Sequence, residues 1–197
     1  MWKVKRKERK RISLISMLLA RMCVSVTAQN IPAKLMALHP ENETVKCRFT
    51  ENRVKPKVKK SETHEGSLEY KAPDYLRMDF DEPAGDYILI TVDKMEQCRN
   101  GKVQSVRVKD KDHRYAVYRA TLLSCLAGDV EAAADLNDAT LVSEKSGNKY
   151  ICTITAEDVS SKDIKEISVE YDAASGRVLM IKLTEGNGNY ASYTTRP

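Results

Sequence analysis

Residues 66–90, GSLEYKAPDYLRMDFDEPAGDYILI, constrain the fold more than any other stretch of the chain. Three apolar-alternating runs follow one another, separated only by Ala72–Asp74 and by Glu82–Gly85. Proline cannot donate to a β-ladder, so Pro73 and Pro83 mark the ends of strands. A period of two puts Leu68 and Tyr70, then Leu76, Met78 and Phe80, on one face, opposite Glu69, Lys71, Arg77, Asp79 and Asp81. Tyr87–Val92, with Ile88 and Ile90, is nearly all apolar, which predicts cover on both its faces. Turns this short pair strands antiparallel. Inward side chains this large suit either a filled sandwich core or a curved sheet that lines an apolar pocket.

The same signals recur along the chain. QNIPAKLMAL (29–38) has Ile31, Leu35, Met36 and Leu38 at helical spacing, with Pro32 tolerated in a first turn. VKCRFTENRV (45–54) alternates, with Val45, Cys47 and Phe49 on one face. Asn100-Gly101 is a hairpin signal, and Val103, Val106 and Val108 mark the strand after it. The period then changes. Asp110 or Asp112 can cap a helix carrying Tyr115, Tyr118, Leu122 and Leu126, Gly128 can stop it, and residues 130–137 fit a second short helix. Strands are expected again at 139–144, 149–156, 166–172 and 177–185, the last two joined through Ala173–Gly176, with a weak one in NYASYTT. Eight or nine antiparallel strands, a leading helix and a helical insertion make an α+β fold dominated by one curved sheet.

The first 28 residues are set apart from this fold. MWKVKRKERKR is basic, ISLISMLLA is a short apolar run, and Val26-Thr27-Ala28 has the small-residue form of a cleavage site. A secretory signal cut after Ala28 is expected, leaving 29–197 as a single exported domain. Residues 12–28 are short for a membrane span and contain Arg21, and Met22 before Cys23 is wrong for a lipidation site. The net charge of +5 is concentrated in this leader, which holds eight basic residues and one acidic residue. Of the 33 basic and 28 acidic residues, 25 and 27 remain afterwards, a net of −2, so nucleic acid is not an expected partner. The surviving basic cluster, KPKVKK at 55–60, reads as a solvated turn. Cys47, Cys98, Cys125 and Cys152 permit two disulfides in three pairings but contain no C-x-x-C pair.

Catalytic signatures are missing. His39, His64 and His113 have no second histidine three or four residues away, so no metal pair is expected. There is no G-x-S-x-G elbow, and the combined S-x-x-K, S-D-N and K-T-G set is absent. No enzyme activity and no cofactor are expected.

The order G-x-L-x-Y-K-x-P-x-x-L-R-x-D-F-x-x-P in Gly66–Pro83 resembles the periplasmic outer-membrane lipoprotein carriers, the LolA family, and CRFTENRV (47–54) is similar to that family's first strand. The resemblance implies a half-open β-barrel with helices as a lid over an apolar cavity, in a monomer of the periplasm. Phe49, Leu68, Tyr70, Leu76, Met78, Phe80, Ile88 and Ile90 would line the cavity, and Tyr118, Leu122 and Leu126 would form the lid. It further implies lipoprotein acyl chains as cargo, an inner-membrane release transporter as donor and an outer-membrane receptor as acceptor. The carriers have an arginine just before the proline of K-x-P, where it gates the cavity. Here Ala72 stands there, with Lys71 beside it as the possible gate.

Overall fold

The computed structural model describes residues 31–41, 43–107 and 113–196. The leader read at 1–28 and the helix caps read at Asp110 and Asp112 lie outside them, as does the side chain of Tyr115. Helix α1 (Ile31–Leu38) leads into strands β1 (Thr44–Lys55), β2 (Lys60–Lys71), β3 (Tyr75–Phe80), β4 (Tyr87–Ile90), β5 (Lys94–Arg99) and β6 (Lys102–Arg107). Helices α2 (His113–Leu126) and α3 (Val130–Leu136) follow. The chain then forms β7 (Ala139–Ser146), β8 (Lys149–Ala156), β9 (Ile164–Asp172), β10 (Val178–Glu185) and β11 (Tyr190–Arg196).

All eleven strands join one antiparallel sheet, ordered β6-β5-β4-β3-β2-β1-β11-β10-β9-β8-β7. The expected α+β class, a curved open sheet with helices over it, is the observed one. Two meanders meet at its centre, where β1 pairs with β11 from Arg48↔Arg196 to Val54↔Tyr190. The free edges β6 and β7 are therefore neighbours in sequence, and the chain between them holds α2 and α3. A segment leaving one edge and returning to the other must cross a face of the sheet, which places both helices over the concave side. There α2 meets β5, and α3 packs on β7 and β8.

Alternation in the sequence becomes alternation in burial. Strand β8 buries Tyr150, Cys152, Ile154 and Ala156, and β3 buries Leu76, Met78 and Phe80, while their intervening residues stay half-exposed. The turn at Asn100-Gly101 has both residues at positive φ (52° and 71°), the backbone that Asn-Gly favours in tight hairpins. The N-terminal helix buries Ile31 and Leu35, while Met36 and Leu38 are exposed.

Three elements differ from expectation. Strand β2 runs back to Lys60 through SETHE, whose polar residues, exposed except for the half-buried His64, carry no alternation signal. Residues 94–99, whose charged sequence carries no clean alternation, form β5, because pairing with β4 and β6 supplies what composition does not. Tyr87–Val92 is covered on one face only: Ile88 and Ile90 are buried, Tyr87 and Leu89 are half-exposed, and Val92 is exposed. The four cysteines of the described residues are free thiols, three of them buried.

Candidate functional site: the seam between sheet and helical lid

The concave face contributes Phe49 from β1, Leu68 and Tyr70 from β2, Leu76, Met78 and Phe80 from β3, and Ile88 and Ile90 from β4. All eight are buried in one apolar cluster that also holds Leu122 and Leu126 of α2. Tyr118, one turn before Leu122, packs against this cluster. Sheet floor and helical cover thus meet directly.

The seam is closed but not filled. One void, with Tyr70, Leu68, Leu126, His39, Glu43, Cys47 and Arg177 among its walls, has about 30 Å³ of free space. A second, also about 30 Å³, lies among Leu76, Met78, Ile88, Tyr118, Leu122 and Tyr193. They share Leu68, Leu126, Val178 and Thr195, so they run end to end along the seam. Each has room for about two water molecules. An acyl chain therefore needs the lid side chains to move aside.

Beyond the second void lies a buried charged cluster. The β1 alternation that puts Val45, Cys47 and Phe49 inward continues to Glu51 and Arg53. Glu51 is fully buried, and both its carboxylate oxygens accept from Arg99 Nη2 at 3.1 Å, while Arg53 Nη2 lies 3.0 Å from Oε1. The Arg99 guanidinium also stacks 3.8 Å from the centre of the Phe80 ring. Tyr118 of the lid and Tyr193 of β11 sit beside Glu51, and burial raises both phenols above their ordinary range. One buried carboxylate thus anchors two guanidinium groups, and the Nε atoms of both have no partner.

A few polar links hold the lid. Arg119 Nε donates to the Thr91 carbonyl (2.7 Å), Tyr171 Oη to the Cys125 carbonyl (2.7 Å), and Asn137 Nδ2 to Thr121 Oγ1 (2.9 Å). At the other end His39 closes the seam, with Nδ1 2.8 Å from Glu43 and Nε2 2.9 Å from the Gly176 carbonyl. Lys71 is on the outer face, paired with Glu69 at 3.3 Å and 5.0 Å from the Tyr75 ring centre. Ala72 packs against the core and donates its N–H to the Glu43 carbonyl. The lid is joined to the sheet through Arg119 and Tyr171, residues that sequence reasoning did not single out. No group of His, Cys, Asp or Glu suited to a metal occurs among the described residues.

No family model matches the chain, and no curated protein matches it. Among solved structures it is similar to the LolA superfamily protein NE2245 from Nitrosomonas europaea, at 12% identity and a TM-score of 0.40, covering 88% of this chain and 93% of that one. It is similar also to a putative outer membrane lipoprotein-sorting protein domain from Vibrio parahaemolyticus (12%, TM-score 0.44, 86% and 90% covered). A third is the lipoprotein LppX of Mycobacterium tuberculosis (10%, TM-score 0.38, 85% and 94% covered). No helix among the described residues is long and apolar enough to cross a membrane.

Proposed function

We propose that this protein is a non-catalytic carrier of the bacterial periplasm that takes up the acyl chains of lipoproteins between its sheet and its helical lid. It would receive them from a release transporter in the inner membrane and pass them to a receptor at the outer membrane. The observation that supports this reading is the seam itself, two adjoining, mainly apolar voids with shared walls between a continuous sheet floor and a helical cover. A chain that buries about a dozen methylenes gains roughly 10 kcal/mol. Lid opening and ordering offset much of that, which suits a protein that must also release its load. Met78 in the floor is an adaptable side chain for a variable occupant.

The test is a release assay. Inner-membrane vesicles carrying a labelled lipoprotein, its transporter and ATP are mixed with residues 29–197, and a one-to-one complex is sought in the soluble fraction. Release above a no-protein control is expected. No release, with an acyl probe still bound, would reduce the reading to lipid binding with another cargo.

A second reading, a scaffold or lipid sensor that recognises a partner protein, is favoured by the sheet's edges. Val103 on β6 is 57% exposed and Val142 on β7 is 61% exposed, each on a strand with one edge unpaired in the sheet. Such edges can accept an added strand. Lipid-independent binding of an envelope protein, lost on Val103→Lys or Val142→Lys, would support it.

A further inference from the structure

Two of the buried tyrosines, Tyr171 and Tyr193, place their hydroxyls on partners. Tyr171 donates to the Cys125 carbonyl, and Tyr118 and Tyr193 cluster with Glu51. Tyr70 differs. It is 1% exposed, its side chain lines the first void, and its hydroxyl has no hydrogen-bond partner. A buried donor left unpaired is destabilising, and an acceptor entering the void would satisfy it.

A cation stands on the same wall. Arg177 is an exposed residue of the void's wall, and its guanidinium makes no hydrogen bond or ion pair with a described residue. It acts electrostatically on Asp172, but that carboxylate accepts from the Ala174 and Ser175 N–H groups and from the Ser175 hydroxyl. Two other polar side chains of the wall are occupied, since His39 holds Glu43 and the Gly176 carbonyl and Thr195 Oγ1 donates to the Val178 carbonyl, while the Cys47 thiol feels the Arg177 charge. The void therefore offers a neutral donor and a cation at one end of an apolar passage. Glu43 on the same wall disfavours a doubly charged head.

We propose that the first void seats the carboxylate of a long-chain fatty acid, which accepts from the Tyr70 hydroxyl and the Arg177 guanidinium. The chain runs past Leu68, Leu126 and Val178 into the second void. This rests on the lipid-binding reading above and adds to it the head group, the direction of entry and a single chain per protein.

Titration calorimetry with residues 29–197 and three probes of equal chain length, dodecanoate, dodecyl phosphate and dodecanol, tests it. The expected result is one dodecanoate per protein, bound about tenfold or more tighter than either other probe. Tyr70→Phe and Arg177→Gln should each weaken dodecanoate about tenfold and leave dodecanol unchanged. Thermal melts establish that the variants fold. Arg177 is exposed, so its variant decides the matter if Tyr70→Phe is unstable. Equal binding of dodecanol and dodecanoate, unaffected by either substitution, would overturn the head-group assignment and leave lipid binding standing. Tighter dodecyl phosphate would overturn the carboxylate, and binding of no probe would remove both readings.

Discussion

Gly66 shows how a single residue sets the geometry of the floor. It lies opposite Phe49 on β1 and Phe80 on β3, and those two rings meet edge to face with centres 5.2 Å apart. A Cβ at this position would strike the Asp79 carbonyl oxygen and come within 2.6 Å of Phe49 Cε1. The backbone cannot yield without breaking the β2–β3 ladder, and Phe49 is enclosed. Gly66→Ala is therefore expected to cost about 1–3 kcal/mol, as overpacking does, seen as a lower urea midpoint with an unchanged slope. Glu51 makes the complementary point. Its alternation with Phe49 is legible in the sequence, and it predicts an inward carboxylate. Nothing in the sequence says that Arg99, 48 residues away, would meet it.

Among the elements, α2 is the one whose attachment bears on function. Its apolar residues Leu122, Leu123 and Leu126 hold it to the sheet, and the Tyr171–Cys125 hydrogen bond fixes its last turn. Tyr171→Phe keeps the ring and removes the donor, while the Cys125 carbonyl keeps the Gly128 N–H at 3.2 Å, so the expected cost is that of one lost hydrogen bond, about 0.5–1.5 kcal/mol. Hydrogen exchange should show faster opening of 119–126 with β8 and β9 little changed. A uniform loss of protection throughout the sheet would mean that lid and sheet open as one unit. Element existence was readable wherever the period was clean, as in β3, β8 and α2. It failed at β5, where KMEQCR buries only Met95 and Cys98 and the strand exists because β4 offers it an edge.

At the scale of the whole molecule, ionisable groups are buried in both halves of the sheet and in the lid. Burial pushes Tyr70 up to about 12 from 10, and the Cys125 thiol up to about 12 from 9. Tyr171 and Tyr193 are also raised well above their ordinary value, chiefly by burial. In each case the folded state holds its proton more tightly than the unfolded chain. The stabilisation is complete below about pH 9, where unfolded thiols keep their protons, and is lost as the pH rises towards 12. Urea midpoints are expected to be level from pH 7 to 8.5 and to fall by an amount worth on the order of 2–4 kcal/mol by pH 11. A level profile through pH 11 would show that these groups reach water in the folded state.

The sequence by itself determined the local period of most elements, the turns at Pro73, Pro83 and Asn100-Gly101, and the set of side chains that faces inward. These depend on backbone chemistry and on neighbours two to four residues apart. Only the tertiary structure decided how the two meanders join through β1 and β11, which sends α2 and α3 across the concave face. It likewise decided that the seam closes to two small voids, that Lys71 faces outward, and that Tyr70 is left with an unpaired hydroxyl near Arg177. Those outcomes turn on pairings between residues up to 148 positions apart, such as Arg48 with Arg196. Long-range contacts of this kind are chosen by the packing of the whole chain, which no local pattern encodes.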